Sequence, residues 1–385
     1  MQNNFLSDQK FRGILYQTLV VGLFAIGIYF VVTNTAYNLE KRNIATGFGF
    51  LNNAAGFDIS FSPFIDYKST DTHLKVYFVG VLNTLLVSIT GCIAATLLGF
   101  IVGIIRLSSN WLLSRVAYVY VEFTRNVPLL LQIILWYAIL IQLPRIKQAI
   151  QFFDHFYIAN RGLFGPRPIF EDGFGFVFYT IILAIIIAFF IRRWAKKRQD
   201  TTGKQFPIFS FNTALIIIVP LLIFFIVGSP LSFDFPVLKG FNFKGGMVIR
   251  PEFIAMFLAL TIYTGAFISE TVRSGILSVT KGQREASGAL GLKKNWIMRL
   301  IILPQALRVI VPPLTSQYLN LTKNSSLGIA VGYADLVHGF GGISLNQTGQ
   351  AIECMAITMA TYLTISLTIS LFMNIYNRSI QFKEK

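Results

Sequence analysis

The chain has 385 residues, 54% of them hydrophobic and only 13% charged, with a mean hydropathy of +0.62. An ordinary soluble domain carries about 25% charged residues, so this composition excludes one, and the lack of ~10-residue alternating segments excludes a transmembrane β-barrel. The formal charge of +16 raises nucleic acid as a partner, but the basic residues gather in short polar loops between apolar runs, which is a topology signal and leaves no nucleic acid among the expected partners.

Taken in chain order, Lys10 and Arg12 precede the first apolar run, Ile14 to Val32. It exceeds the core of a cleaved signal peptide, about 7 to 15 residues, and reads as a retained anchor with its N-terminus inside. Seven further spans follow: Val76 to Ile105, Asn126 to Leu143, Phe174 to Ile191, Phe211 to Gly228, Glu252 to Glu270, Gln305 to Tyr333 and Cys354 to Tyr376. The fold class is therefore an all-α polytopic membrane bundle of about eight helices with both termini on the cytoplasmic side. The loop carrying Arg192, Arg193, Lys196, Lys197, Arg198 and Lys204 fixes that sidedness, and contact with lipid headgroups is expected of it. The adjacent prolines Pro312 and Pro313 predict a break in the seventh span.

Three long connections fall outside, Thr33 to Lys75, Pro144 to Gly173 and Ser229 to Pro251, and are large enough for a small external cap. Residues 1–75 are read as an anchor helix with its external loop and residues 76–385 as the transmembrane domain. Cys92 and Cys354 lie in apolar runs without metal-ligand spacing and are expected to be small core residues. No metal site is expected. His73, His155 and His338 lie in or near external loops and are expected to be solvated.

The one elaborate cytoplasmic connection is 271–304. Thr280 and Gln283 have the spacing of a capping box at the start of a short helix, and Gly291 suits its end. Ala286, Ser287, Gly288 and Ala289 leave a surface of little side-chain bulk that another protein could approach closely. Pro304 is expected to stop the second segment at the membrane's edge.

Glu285, Ala286, Ser287, Gly291, Ile301, Leu303 and Pro304 stand in register with the EAA motif of ABC importer permeases, Glu-Ala-Ala, three residues, Gly, nine residues, Ile-x-Leu-Pro. Ser287 in place of Ala is the single departure, and it keeps the side chain small. The resemblance implies a type I ABC importer permease core whose coupling helix seats in a cleft of a separate ATPase. Y-V-E-F-T-R-N-V-P-L-L-L-Q (Tyr120 to Gln132), G-A-F-I-S-E (Gly265 to Glu270), L-P-Q-A-L-R-V-I-V-P-P-L (Leu303 to Leu314) and L-N-L-T-K-N-S-S-L (Leu319 to Leu327) resemble the polar amino-acid permeases of that superfamily. The external stretches Ala45 to Ile59 and Asn160 to Pro168 are similar to those of general L-amino-acid importers, in the permease subunit with the long first external loop.

That resemblance implies a non-enzymatic transport subunit of a bacterial inner membrane. Its implied partners are a second permease subunit or a homologous copy, two ABC ATPase subunits and a periplasmic amino-acid-binding protein. No G-x-x-x-x-G-K-[ST] occurs in the sequence, so no cofactor is expected on this chain, and ATP-Mg is used by the partner ATPase. No catalytic residue is expected.

Ionisable and polar groups at membrane depth are costly and become pathway candidates. The knot Asn320, Lys323, Asn324, Ser325 and Ser326 suits a zwitterion and equally suits helix packing. In cation-selective permeases the position resembling Asn324 is Asp, so the neutral amide implies broad specificity. Gln132, Thr264 and Glu270 are weaker candidates, and Arg308 and Glu122 read as structural residues near the inner interface. A secondary transporter would place a carboxylate at the midplane of a broken helix, and none stands clearly there. An intramembrane hydrolase would need a nucleophile with its base or metal ligands such as H-E-x-x-H, which is missing.

Overall fold

A computed structural model describes residues 9–41 and 46–381. The start of the Ala45 to Ile59 stretch and the two chain ends, whose side of the membrane was expected above, lie outside the described residues. The chain divides into two compact units, one of residues 1–137 and 255–385, the other of residues 138–254. Among the described residues seven helical runs are long and apolar enough to cross a bilayer, and a bent pair would make an eighth.

In the first unit α1 (Gln9–Lys41) has no buried residue in its most apolar stretch. The helix α2 (His73–Ile105) is capped by Thr72, whose side chain accepts from the Lys75 N–H. It packs tightly on α7 (Pro251–Leu277) because glycines face that contact. A Cβ on Gly99 would stand 2.5 Å from Ile268, and one on Gly103 would stand 2.8 Å from the Ser269 carbonyl oxygen, so only glycine lets the two backbones approach this closely.

Between these two helices the expected third span is not one helix. The amphipathic α3 (Trp111–Asn126) and the apolar α4 (Leu129–Ile141) meet at a 106° bend around Val127 and Pro128. Hydropathy misses α3 because Arg115, Glu122 and Arg125 dilute it, while Pro128 cannot continue a helix.

After α7 come α8 (Lys281–Ala289), α9 (Lys294–Ile297), a π-helical turn Met298–Ile302 and α10 (Leu303–Asn324). Two expectations change here. Pro304 sits in the first turn of α10, where a missing N–H costs nothing, so it starts that helix and the π turn carries the chain into it. Pro312 and Pro313 lie inside α10 without ending it; the helix gives way only at Asn324, to the 3-10 stretch Ser325–Val331. A π turn Leu336–Ser344, α11 (Leu345–Thr348) and α12 (Ala351–Ile380) complete the unit.

The first external loop belongs to this core. Phe50 is buried with Val76, Leu336, Phe340 and Cys354 and stacks on Phe340 at 6.2 Å. His73 and His338 are not solvated: His73 is buried with Nδ1 2.9 Å from Ser344 Oγ, and His338 is half-buried. Cys354 is buried as expected, whereas Cys92 is half-exposed and lines an apolar groove of about 690 Å³ between α2, α10 and α12. Arg308 plays the expected structural part, its Nε donating to the Ile380 carbonyl at 2.9 Å.

The second unit holds a helical hairpin, α5 (Phe174–Thr202) and α6 (Ile208–Ile226), and the two later external connections. Val177, Ala184, Ala188 and Ala195 form the buried stripe of α5, and Asn212 Nδ2 donates to the Ala188 carbonyl at 3.0 Å. The connections add short strands to the helical bundle. An antiparallel sheet runs β1 (Ile150–Phe153), β2 (Phe156–Ala159), β3 (Gly162–Gly165) and β8 (Met247–Ile249). Two ribbons pair β4 (Arg167–Phe170) with β5 (Leu231–Asp234) and β6 (Val237–Lys239) with β7 (Asn242–Lys244). Gly162 is required where β3 meets β8: its φ is +125°, and a Cβ there would stand 2.1 Å from the Ile249 oxygen.

Candidate functional site

The connection 271–304 presents α8 as a nearly free helix. Arg284 and Ser287 alone turn inward: Arg284 Nη2 donates to the Ile276 carbonyl at 2.5 Å, and the Ser287 hydroxyl donates to the Gln283 carbonyl. Glu285, Ala286, Gly288 and Ala289 are exposed, and Leu290 is 80% exposed. The result is a low-relief surface with one carboxylate and one apolar knob.

The helix start differs from expectation. Thr280 occupies the N-cap, but its side chain makes no cap hydrogen bond, so the box with Gln283 is not formed. The helix end agrees with it. Gly291 has φ +76°, its N–H donates to the Gly288 carbonyl at 2.9 Å, and the Leu292 N–H donates to the Ser287 carbonyl at 3.3 Å. Those two bonds define a Schellman end, which needs a left-handed residue at this position. Of the remaining motif residues, Ile301 is half-buried in the π turn, and Leu303 and Pro304 are exposed at the start of α10.

The polar knot of the seventh span divides into two groups. Asn320 and Lys323 are exposed, with Asn324 and Ser326 half-exposed beside them. Ser325 turns the other way and is fully buried, donating to the Thr322 carbonyl at 2.8 Å and lying 3.3 Å from the Tyr362 hydroxyl. Depth follows from neighbours. Leu321 packs where a side chain on Gly91 would lie, and Gly91 is about 27 Å from one end of α2 and about 21 Å from the other at the helical rise per residue. Lys323 therefore lies close to the level of the middle of α2, and among the described residues no carboxylate pairs with it. An ammonium there costs about 3 kcal/mol against lipid, so this face of α10 must meet water, protein or a solute.

The three weaker candidates are not brought to this face. Gln132 is buried at the α3–α4 bend, where Nε2 donates to the Thr124 and Val127 carbonyls, both at 3.0 Å. It supplies the donors that the bend removes, a structural task. Thr264 is buried within α7. Glu270 joins Arg106 at the end of α2 and Arg273 one turn along α7, the latter at 2.7 Å, tying the two helices together.

Two features escaped the sequence reading. Arg106 is one, because a lone arginine after an apolar run shows nothing of its distant partner. Asp335 is the other. It is fully buried, its Oδ1 accepting from the His338 N–H at 2.7 Å and its Oδ2 accepting from the Tyr362 hydroxyl at 3.3 Å. Burial pushes its carboxyl up to about 7. The Asp-Leu-Val-His spacing, a carboxylate three residues before a free N–H, was the available signal.

A family model described as binding-protein-dependent transport system inner membrane component matches residues 180–382. The chain is similar to the general L-amino acid transport system permease protein of Rhizobium johnstonii, 49% identical over 379 residues, covering 98% of this chain and 94% of that one. It is similar to a putative amino-acid ABC transporter permease protein of Escherichia coli, 49% identical over 376 residues with 97% and 95% covered. A glutamate/glutamine/aspartate/asparagine transport system permease protein of Rhodobacter capsulatus is 44% identical over 410 residues, with 98% and 96% covered.

Proposed function

Because the chain belongs to the family of inner membrane components of binding-protein-dependent transport systems, we propose that it is the permease subunit of an amino-acid ABC importer, driven by a separate ATPase and supplied by a binding protein. The observation that carries the mechanism is the free, small-residue face of α8, held to the last turn of α7 by Arg284. A helix of low relief can enter another protein's groove closely. Motion imposed on it would pass through Arg284 to α7, and through Glu270 and Arg106 to α2.

In the finer reading the chain pairs with a second, unlike permease, and each permease serves one of two ATPase subunits that bind ATP-Mg. Residues 192–204 face the cytoplasm of an inner membrane, as do both termini. Glu285, Ala286, Ser287, Gly291, Ile301, Leu303 and Pro304 serve the ATPase contact and its geometry. Asn320, Lys323, Asn324 and Ser326 line the pathway, where the Lys323 ammonium meets a substrate carboxylate and the Asn324 amide leaves side-chain charge unspecified. Ser325, Gln132 and Glu270 hold helices in place.

Reconstituted alone, the chain should hydrolyse no ATP. With a second permease, the ATPase and the binding protein, vesicles should accumulate amino acids in proportion to ATP consumed. ATP hydrolysis by the isolated polypeptide, or uptake without an ATPase, would sink the reading.

A further inference from the structure

The hairpin of α5 and α6 carries a charged end that importer chemistry does not use. The uncharged part of α5, Phe174 to Ile191, is about 27 Å long, close to the ~30 Å of a hydrocarbon core. Arg192, Arg193, Lys196 and Lys197 are exposed in the next turn and a half, at the level where phosphates begin. Among the described residues no carboxylate forms an ion pair with any of them, and Asp200 is the single acid nearby.

Aromatic rings interleave with these cations. Trp194 and Phe206 meet edge to face at 5.7 Å, Phe206 contacts Phe211 at 5.4 Å, and the Arg198 guanidinium lies 5.4 Å from the Trp194 ring. Trp194 is 53% exposed and Phe209 is 84% exposed. A loop that only marked topology would need charge alone. Here the charges stand on a rigid helix, because Ala195 is buried in the hairpin and Asn212 pins α6 to Ala188.

We propose that the charged end of the α5–α6 hairpin is a binding surface for anionic phospholipid, with Arg192, Arg193, Lys196 and Lys197 holding headgroup phosphates and Trp194, Phe206 and Phe209 seated among the upper acyl chains. Guanidinium forks grip phosphate oxygens in pairs, lysines add point charge, and rings settle at the interface. Zwitterionic lipid offers the same acyl chains without net charge, so selectivity is for charge. The inference rests on the membrane reading and on no step of transport.

The full-length chain, purified in mild detergent from vesicles of equal phosphatidylglycerol and phosphatidylcholine, is analysed for retained lipid. Wild type should retain phosphatidylglycerol preferentially, and Arg192→Gln/Arg193→Gln/Lys196→Gln/Lys197→Gln should lower the ratio about tenfold. Equal ratios in the two proteins overturn the site. Should the variant not insert, a chain with Trp194 as its sole tryptophan, made by Trp111→Phe, Trp136→Phe and Trp296→Phe, keeps the test open. Its fluorescence should be quenched more by acyl-brominated phosphatidylglycerol than by brominated phosphatidylcholine, and less so in 1 M salt, on the order of the concentration that screens surface charge within 3 Å. Equal quenching by both lipids overturns the site. Neither measurement involves ATP or a partner subunit, so failure here leaves the importer reading standing, and failure of ATP-driven uptake leaves the lipid site standing.

Discussion

Gly291 shows how one backbone angle supports a mechanism. A side chain there meets open space, so Gly291→Val costs only the left-handed conformation, roughly 1 to 2 kcal/mol, concentrated at the end of α8. ATP-driven uptake should fall about tenfold with membrane accumulation unchanged; normal uptake would remove α8 from coupling. Asn324 tests the pathway, since Asn324→Asp should raise arginine uptake relative to glutamate if the half-exposed amide faces the solute. A packing role would lower both uptakes in proportion. Asp335 predicts a pH dependence: the folded state holds its proton more tightly than the unfolded chain, so stability falls as pH rises from about 4 to about 7. Asp335→Asn keeps an acceptor for the His338 N–H and should flatten that slope in melts at pH 5 and 7.5, buffers chosen within and above the interval. A slope identical to wild type would show that Asp335 does not titrate there.

Among the elements, the α3–α4 bend has the clearest internal support. A 106° turn leaves the last carbonyls of α3 without helical donors, and Gln132 answers two of them. Gln132→Leu keeps the bulk and removes both donors, which should cost about 2 kcal/mol, read as a lower melting temperature of the purified chain. Gln132→Glu, which keeps the shape but replaces the amide donors with oxygens, should be no better. A melt unchanged by either substitution would show that the proline alone sets the bend.

For the whole molecule, α1 and the first external loop separate in role. Removing residues 1–41 takes away a helix with no buried residue in its apolar stretch, so the remainder should insert and melt as before. Removing residues 1–70 strips Phe50 and Ala55 from Val76, Leu336, Phe340 and Cys354. Burial of a phenylalanine is worth about 2 to 3 kcal/mol, and the longer deletion should melt well below the shorter. Equal melts would mean that the loop is not part of the core.

Hydropathy and the spacing from Glu285 to Pro304 determined the class of molecule, most of its membrane helices though not the third, and the short helix that ends at Gly291. They could do so because the bilayer demands long apolar helices and a glycine at position 291 answers a local backbone need. What only the tertiary structure decided depends on partners far apart in sequence: the bend at Pro128, the unbroken passage of α10 through Pro312 and Pro313, the inward turn of Ser325, and the joining of Arg106 to Glu270. Lys323 stands between these cases. Its charge at membrane depth was legible from sequence, but its open face follows from which side of α10 packs on α2 and α12, and helix packing is settled by shape across the contact rather than by any residue alone.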